Sequence, residues 1–264
     1  MKRIFIYFYA ATAFLLFFNC GKKVISVAGD ACTVPLAQKL ADAYTQKTGI
    51  QFDIEASGCA TGIYKGANGD VDIGVSTHEV NPKALPEGTN VQIIAKAPTV
   101  IIVNKKNPIN NLTLQQVRDI MTGKVENWKK VGGKDLPIKN VFLQPCTTEI
   151  FSKKTSAPLG ENLNNLTPEN PHNTVEDTNN TVKDNEGAIG LQIYGYEGSE
   201  VKIVTIDNEL PTEASFPLKY GYYQDYSVIT KGRPEGRVKD FLDFIYSEEG
   251  QNIVSSLKHI RVDK

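Results

Sequence analysis

Arginine is the residue this chain most lacks: Arg3, Arg118, Arg233, Arg237 and Arg261 are all it has in 264 residues. A guanidinium is the side chain best shaped to grip a carboxylate or phosphate with two parallel hydrogen bonds. Any anion recognition here has to be built largely from other donors. Excess charge is also missing, with 29 Lys and Arg against 30 Asp and Glu and a formal net charge of −1. That balance gives no basic stripe for a nucleic acid. Nucleotide fingerprints are absent, since Gly58-Cys59-Ala60-Thr61-Gly62 has neither the P-loop spacing nor its Lys. Histidine is limited to His78, His172 and His259. No third group is placed to orient His78 beside a cysteine, so the chain is read as a non-enzyme.

The N-terminus carries the first positive signal. Lys2 and Arg3 precede an uncharged run from Ile4 to Phe18 that ends at Asn19-Cys20-Gly21. A basic segment followed by an apolar run of this length reads as a secretory signal over residues 1–19, too short for a comfortable membrane span. Cys20 falls where the cut is expected and resembles the acylated cysteine of bacterial lipoproteins, although Phe17 and Asn19 depart from the usual residues there. Residues 20–23 then form a lipidated N-terminus and linker, and the product is a periplasmic or cell-surface lipoprotein held at a membrane. Three cysteines remain: Cys32, Cys59 and Cys146. An odd number in an exported chain cannot be fully paired.

From Val24 onward short apolar runs alternate with helical periodicity. Val24–Ala28, Gln51–Glu55 and Val71–Val75 read as strands. Val34–Thr48 reads as a helix, with Leu36, Leu40 and Tyr44 on one face and Gly49 ending it. A second short helix follows Ser57–Gly62, and this β-α-β-α-β order predicts a mostly parallel sheet covered by helices. Val91–Val103 is expected to cross between lobes and Tyr222–Ile229 to return. Between them lie a helix over Leu112–Met121 started by Thr113, strands at Ile138–Leu143, Ala188–Ile193 and Val201–Ile206, and a loop with short helical pieces over residues 160–184. The last helices span Val238–Leu257. Trp128, Tyr220, Tyr222, Tyr223 and Tyr226 are read as packing residues, and Asp30 as a helix cap.

Ligands in open α/β sheets bind beyond the carboxyl ends of the strands, where helix N-termini offer free N–H groups. Three such junctions are legible: Gly29–Thr33, Ser57–Gly62 and Gln144–Glu149. Each holds one of the three cysteines. With Thr33-Val34-Pro35-Leu36, Val71-Asp72-Ile73-Gly74-Val75-Ser76, Asn127-Trp128, Val131-Gly132-Gly133, Gly187-Ala188-Ile189-Gly190 and Ser247-Glu248-Glu249-Gly250-Gln251, the chain resembles the periplasmic phosphate-binding proteins of ABC importers from about Val24 to Lys264. The resemblance implies an α/β fold of the two-lobed, type II binding-protein kind, each lobe a mixed, mostly parallel sheet flanked by helices. It implies lobe I at residues 24–98 plus 227–264, lobe II at 99–226, a solute bound in the cleft between them, a membrane permease as partner, and a monomer.

The family's contacts are altered in this sequence. Ala31, Cys32 and Thr33 stand in the first ligand turn, and Cys59 and Ala60 stand at a serine of the second. Thr77 matches an aspartate that takes a proton from phosphate, and Gln144-Pro145-Cys146-Thr147-Thr148 replaces an arginine with a Ser-Gly-Thr turn. The expected contacts are Cys32, Thr33, Cys59, Thr61, Ser76, Thr77, Cys146, Thr147 and Thr148. Thiolates favour soft ions, so the leading expectation is a thiophilic metal, metalloid or iron–sulfur cluster held by Cys32, Cys59 and Cys146, with His78 as a fourth ligand. Three alternatives stay open. Two of the thiols pair in a disulfide; phosphate or another oxyanion binds through N–H groups and hydroxyls; or the lipoprotein binds a protein partner.

Overall fold

The computed structural model describes residues 24–30, 32–142, 151–155, 175–212, 215 and 218–263. The signal segment, Cys20, Gln144–Glu149 with Cys146, and His172 lie outside them, and of Cys59 only the backbone is described.

Strand β1 (Val24–Gly29) leads through a tight turn into helix α1 (Val34–Thr48). Pro35 suits the first turn of a helix, where its missing N–H costs nothing. Leu36, Leu40 and Tyr44 recur at helical spacing and are buried, and Gly49 closes the helix in the left-handed conformation at φ 74°. Strands β2 (Gln51–Ala56) and β3 (Ile73–Ser76) both pair parallel to β1. Between them runs α2 (Cys59–Asn68). The third strand starts two residues later than its apolar run suggests. Asp72 takes the amide and hydroxyl of Ser26 on its carboxylate, at 2.9 and 3.1 Å, so this residue serves as a side-chain tie and not as part of the ladder.

Strand β4 (Thr89–Asn104) is sixteen residues long and belongs to two sheets. Its first part, Thr89–Pro98, pairs antiparallel with β9 (Tyr223–Lys231), which itself borders β3. Its last part, Thr99–Asn104, pairs antiparallel with β7 (Ala188–Ile193) and β8 (Val201–Ile206). Parallel to β7 lies β6 (Lys139–Phe142), and parallel to β8 the short β5 (Asn111–Leu112). The order β2-β1-β3-β9-β4-β7-β6 therefore joins one lobe to the other through β4 and β9.

Helix α3 (Leu114–Met121) opens with a reciprocal cap between Thr113 and Gln116. Helix α4 (Val175–Asp184) ends the stretch that the sequence presents as loop with short helical pieces. Only Thr178 and Val182 of it are buried, so its polar Asn and Asp content hides the period. Helices α5 (Gly236–Tyr246) and α6 (Glu248–Ser256) return to the first lobe, where Phe241 and Phe244 pack on Tyr44 with ring centroids 5.2 Å away in both cases. The second lobe packs around Trp128, whose indole N–H donates to the carbonyl of Gly187 at 2.8 Å. Both Trp128 and Tyr220 are packing residues, as the sequence suggests. The Tyr220 hydroxyl is buried and donates to the carbonyl of Thr99 at 2.8 Å.

One contact fixes where α2 can lie. A Cβ on Gly66 would stand 2.6 Å from the amide nitrogen of Gly74, and one on Gly74 would stand 2.2 Å from the carbonyl oxygen of Gly62. Helix and strand thus meet backbone to backbone, four-residue spacing putting Gly62 and Gly66 on one face. A methyl group there has no room, because the atoms it would meet are main chain. Gly66→Ala is expected to lower the unfolding free energy by about 1–3 kcal/mol, read as a lower urea midpoint at an unchanged slope.

Candidate functional site

The turn after β1 is organised by Asp30, whose side chain is fully buried. Its Oδ1 accepts the backbone N–H groups of Cys32 (2.9 Å) and Thr33 (3.0 Å). Its Oδ2 accepts the Thr77 N–H at 3.1 Å and the Thr77 hydroxyl at 3.4 Å. Burial raises the Asp30 pKa above its ordinary value, and the hydrogen bonds from Thr77, Thr33 and Cys32 oppose that shift. Asp30 is thus more than a cap for α1: it binds the first ligand turn to the residue that follows β3.

That arrangement corrects the reading of the first junction. The Cys32 and Thr33 amides expected to face a solute face Asp30. The Thr33 hydroxyl donates to the Asp30 carbonyl at 2.7 Å, and the Thr77 hydroxyl turns to the Asp30 carboxylate. Ser76 is buried and accepts the His78 amide at 2.9 Å. Cys32 is 1 % exposed and belongs to the core of the first lobe, not to the mouth of a cleft. Its carbonyl accepts the hydroxyl of Tyr226 at 2.8 Å. The residue before Thr33 faces the apolar core because α1 must lay Leu36 and Leu40 on the sheet.

The second junction is different. Gly58 begins α2 at φ 89°, and no side chain caps the helix. The first turn of any helix leaves N–H groups without intrahelical partners, at the positive end of its dipole. Ser57 adds a buried hydroxyl oxygen with no hydrogen-bond partner. The glycine contact with β1 and β3 holds this end of α2 against the carboxyl ends of those strands. Thr61 lies on an exposed face of α2.

Next to β3 a cavity of about 490 Å³ opens along the crossing strands, lined among others by Thr77, His78, Ile93, Gln224, Lys153 and Lys154. Lys153 and Lys154 belong to helical residues 151–155 and bring the only arginine-like charge at this opening among the described residues that line it. The Lys154 ammonium sits 4.2 Å from the ring centroid of Tyr223. Lys96 sits 4.8 Å from the same ring and pairs with Asp225 at 2.6 Å. Tyr223 therefore does more than pack: its ring lies within cation–π reach of two ammonium groups. Reading the sequence for anion contacts missed these lysines, since nothing in Ser152-Lys153-Lys154-Thr155 distinguishes them from a solvated helix face.

No group of three or more His, Cys, Asp or Glu among the described residues is placed to hold a metal ion. The soft-donor centre expected from Cys32, Cys59, Cys146 and His78 thus finds no support. Cys32 is withdrawn into the core, and Cys146 and the Cys59 side chain lie outside what is described. His78 lines the cavity with its Nδ1 buried and without a hydrogen-bond partner.

Residues 19–249 match the profile of a PBP superfamily domain. The phosphate-binding protein PstS of Bacillus subtilis is 27% identical over 256 residues, covering 90% of this chain and 80% of its own. PstS of Borreliella burgdorferi is 24% identical over 96% of both chains. Among solved structures, a phosphate ABC transporter substrate-binding protein from Clostridium perfringens, described with bound phosphate, superposes with a TM-score of 0.80. It is 28% identical, and the match covers 91% of this chain and 100% of that one.

Behind the first turn, His259 is 2 % exposed and stacks near Tyr226 and Tyr196, at centroid distances of 5.8 and 5.3 Å. Burial lowers its pKa to about 4, a shift only partly offset by the backbone of Leu257 and Tyr194. The unfolded imidazole takes up a proton near pH 6.5 that the folded one refuses until about pH 4. Stability from this residue is therefore present above pH 6.5 and is lost as pH falls toward 4. Between pH 7.5 and pH 5 the wild type should lose about 2 kcal/mol more than His259→Phe, measured by urea unfolding at the two pH values.

Proposed function

Because this chain belongs to the PBP superfamily, among its phosphate-binding proteins, we propose that it is the extracytoplasmic solute receptor of a phosphate-type ABC importer and that its solute is a small oxyanion, phosphate first. It is a receptor and not a catalyst: it binds its solute between the lobes, closes about the paired strands β4 and β9, and delivers the solute to a membrane permease. Acylation at Cys20 would keep it at the membrane surface as a monomer.

The observation that carries this reading is the uncapped N-terminus of α2, pressed against the carboxyl ends of β1 and β3 by the glycine contact, with Lys153 and Lys154 lining the cavity that begins at Thr77, just after β3. Free N–H groups at a helix N-terminus suit an oxyanion. Two ammonium groups supply positive charge, though as mobile point charges without the bidentate geometry of an arginine. The similarity to proteins named for phosphate binding supports the same ligand class. Soft-metal capture lacks comparable support, because the one cysteine side chain that is described is buried in the core.

Absence of a carboxylate at Thr77 has a consequence for selectivity. A fixed carboxylate facing the solute repels a fully ionised anion and accepts a proton from hydrogen phosphate. Here Asp30, beside Thr77, is buried and already takes four hydrogen bonds, and of the two carboxylates that line the opening, Glu79 and Asp225, the second is paired with Lys96. Sulfate should therefore compete with phosphate, within about tenfold in affinity. Phosphate at a hundred times its dissociation constant should stabilise the protein by about 2.7 kcal/mol, and Lys153→Ala with Lys154→Ala should weaken binding. Thermal shift and calorimetry with phosphate, sulfate, zinc and arsenite measure this. Stabilisation by zinc or arsenite without any by phosphate or sulfate would overturn the oxyanion reading. Silence from all four would favour a protein partner.

A further inference from the structure

The opening beside β3 is larger than an inorganic oxyanion needs. A five-atom tetrahedral anion takes the room of two or three waters, roughly 60–90 Å³. The cavity along the crossing strands has about 490 Å³. Pockets for organic ligands begin at roughly 300 Å³.

Its walls are differentiated. Part of the lining is apolar, with Val80, Pro82, Val91 and Ile93, and part is acidic, with Glu79 and Asp225. The floor carries Gln224, which is 1 % exposed. Its amide nitrogen donates to the Thr99 hydroxyl at 3.2 Å, while its Oε1 is buried with no hydrogen-bond partner. His78 Nδ1, also buried, has none either. An unpaired buried acceptor costs about 1–3 kcal/mol. Two such unmatched atoms, on residues that line one cavity, offer hydrogen-bond partners to a ligand there. Thr77 connects the two regions, since it follows β3 at the oxyanion end and lines the cavity as well.

We propose that this cavity is a second compartment of the binding site and holds the organic part of a small phosphate monoester or phosphonate. The tail is an alkyl chain of two or three carbons that ends in a hydroxyl or amine. Its carbons lie against Val91 and Ile93, and its terminal donor reaches Gln224 Oε1 and His78 Nδ1. The anionic head lies at the Thr77 end of the cavity, whose lining includes Lys153 and Lys154. This inference rests on the oxyanion reading above and narrows it from phosphate to its small organic derivatives.

The experiment is calorimetric titration of the mature protein with inorganic phosphate, glycerol 3-phosphate and 2-aminoethylphosphonate at pH 7.5. At least one organic probe should bind about tenfold more tightly than inorganic phosphate. In Gln224→Ala the ratio of the two affinities should fall to within about twofold of one. His78→Ala, at a half-buried position, should lower the same ratio, and it keeps the test alive should the buried Gln224 variant fail to fold. Phosphate binding as tightly as both organic probes, or a ratio unmoved in the folded variants, overturns the second compartment and leaves the oxyanion reading intact. No binding of any probe overturns both.

Discussion

Everything in this molecule hangs on the antiparallel pairing of β4 with β9. These two strands are the path by which one sheet continues into the other, and each side of the cavity borrows residues from them. The pairing runs from Thr89 opposite Lys231 to Pro98 opposite Tyr223, with a register shift between Ile93 and Ala95. A bulge adds twist and bends the strand that carries it. Here it breaks the alternation of inward and outward residues, so that Ile94 and Ala95 are buried in succession while Ile93 is exposed. Two lobes on a bent two-strand connection can close by hinge motion without surrendering either core.

The ligand end shows a trade between structure and recognition. Asp30 spends its carboxylate on the N–H groups of Cys32, Thr33 and Thr77, which makes the first turn and the end of β3 one rigid piece. Those donors are then unavailable to a solute. On the proposed oxyanion reading, recognition falls to α2 and the lysines of residues 151–155 more than to the threonines that sequence alone nominates. The proposed second compartment adds Gln224 and His78, neither of which belongs to a strand-to-helix junction.

Much of the fold was legible beforehand because its signals are local. Leu36, Leu40 and Tyr44 keep helical spacing, Gly49 stops the helix, and Thr113 starts another, so α1 and α3 could be bounded closely. The strand run at Ala188–Ile193 is wholly buried and reads as such. Helix α4 was legible only as a short helical piece without bounds, since two inward residues in ten give no period. The site was less legible than the fold for a related reason. Whether Cys32 faces a cleft or a core depends on how α1 rotates onto the sheet, a tertiary outcome with no trace in Asp30-Ala31-Cys32. Gln224 stands among tyrosines in a strand, and only the pocket beside it reveals that its oxygen is unmatched.

The position of β9 has a further consequence for how the protein comes into being. It inserts between β3 and β4, although about half the chain separates it from them, and beyond it Ile260 exchanges two backbone bonds with Lys96, at 2.9 and 3.0 Å. The first lobe therefore cannot complete its sheet while the chain is still emerging. The second, contained almost entirely between those segments, can assemble from nearer neighbours and is favoured to form first. A half-made first lobe would expose the edges of β3 and β4, both strongly apolar. Keeping that unfinished state short is a burden that falls on whatever carries the chain through synthesis.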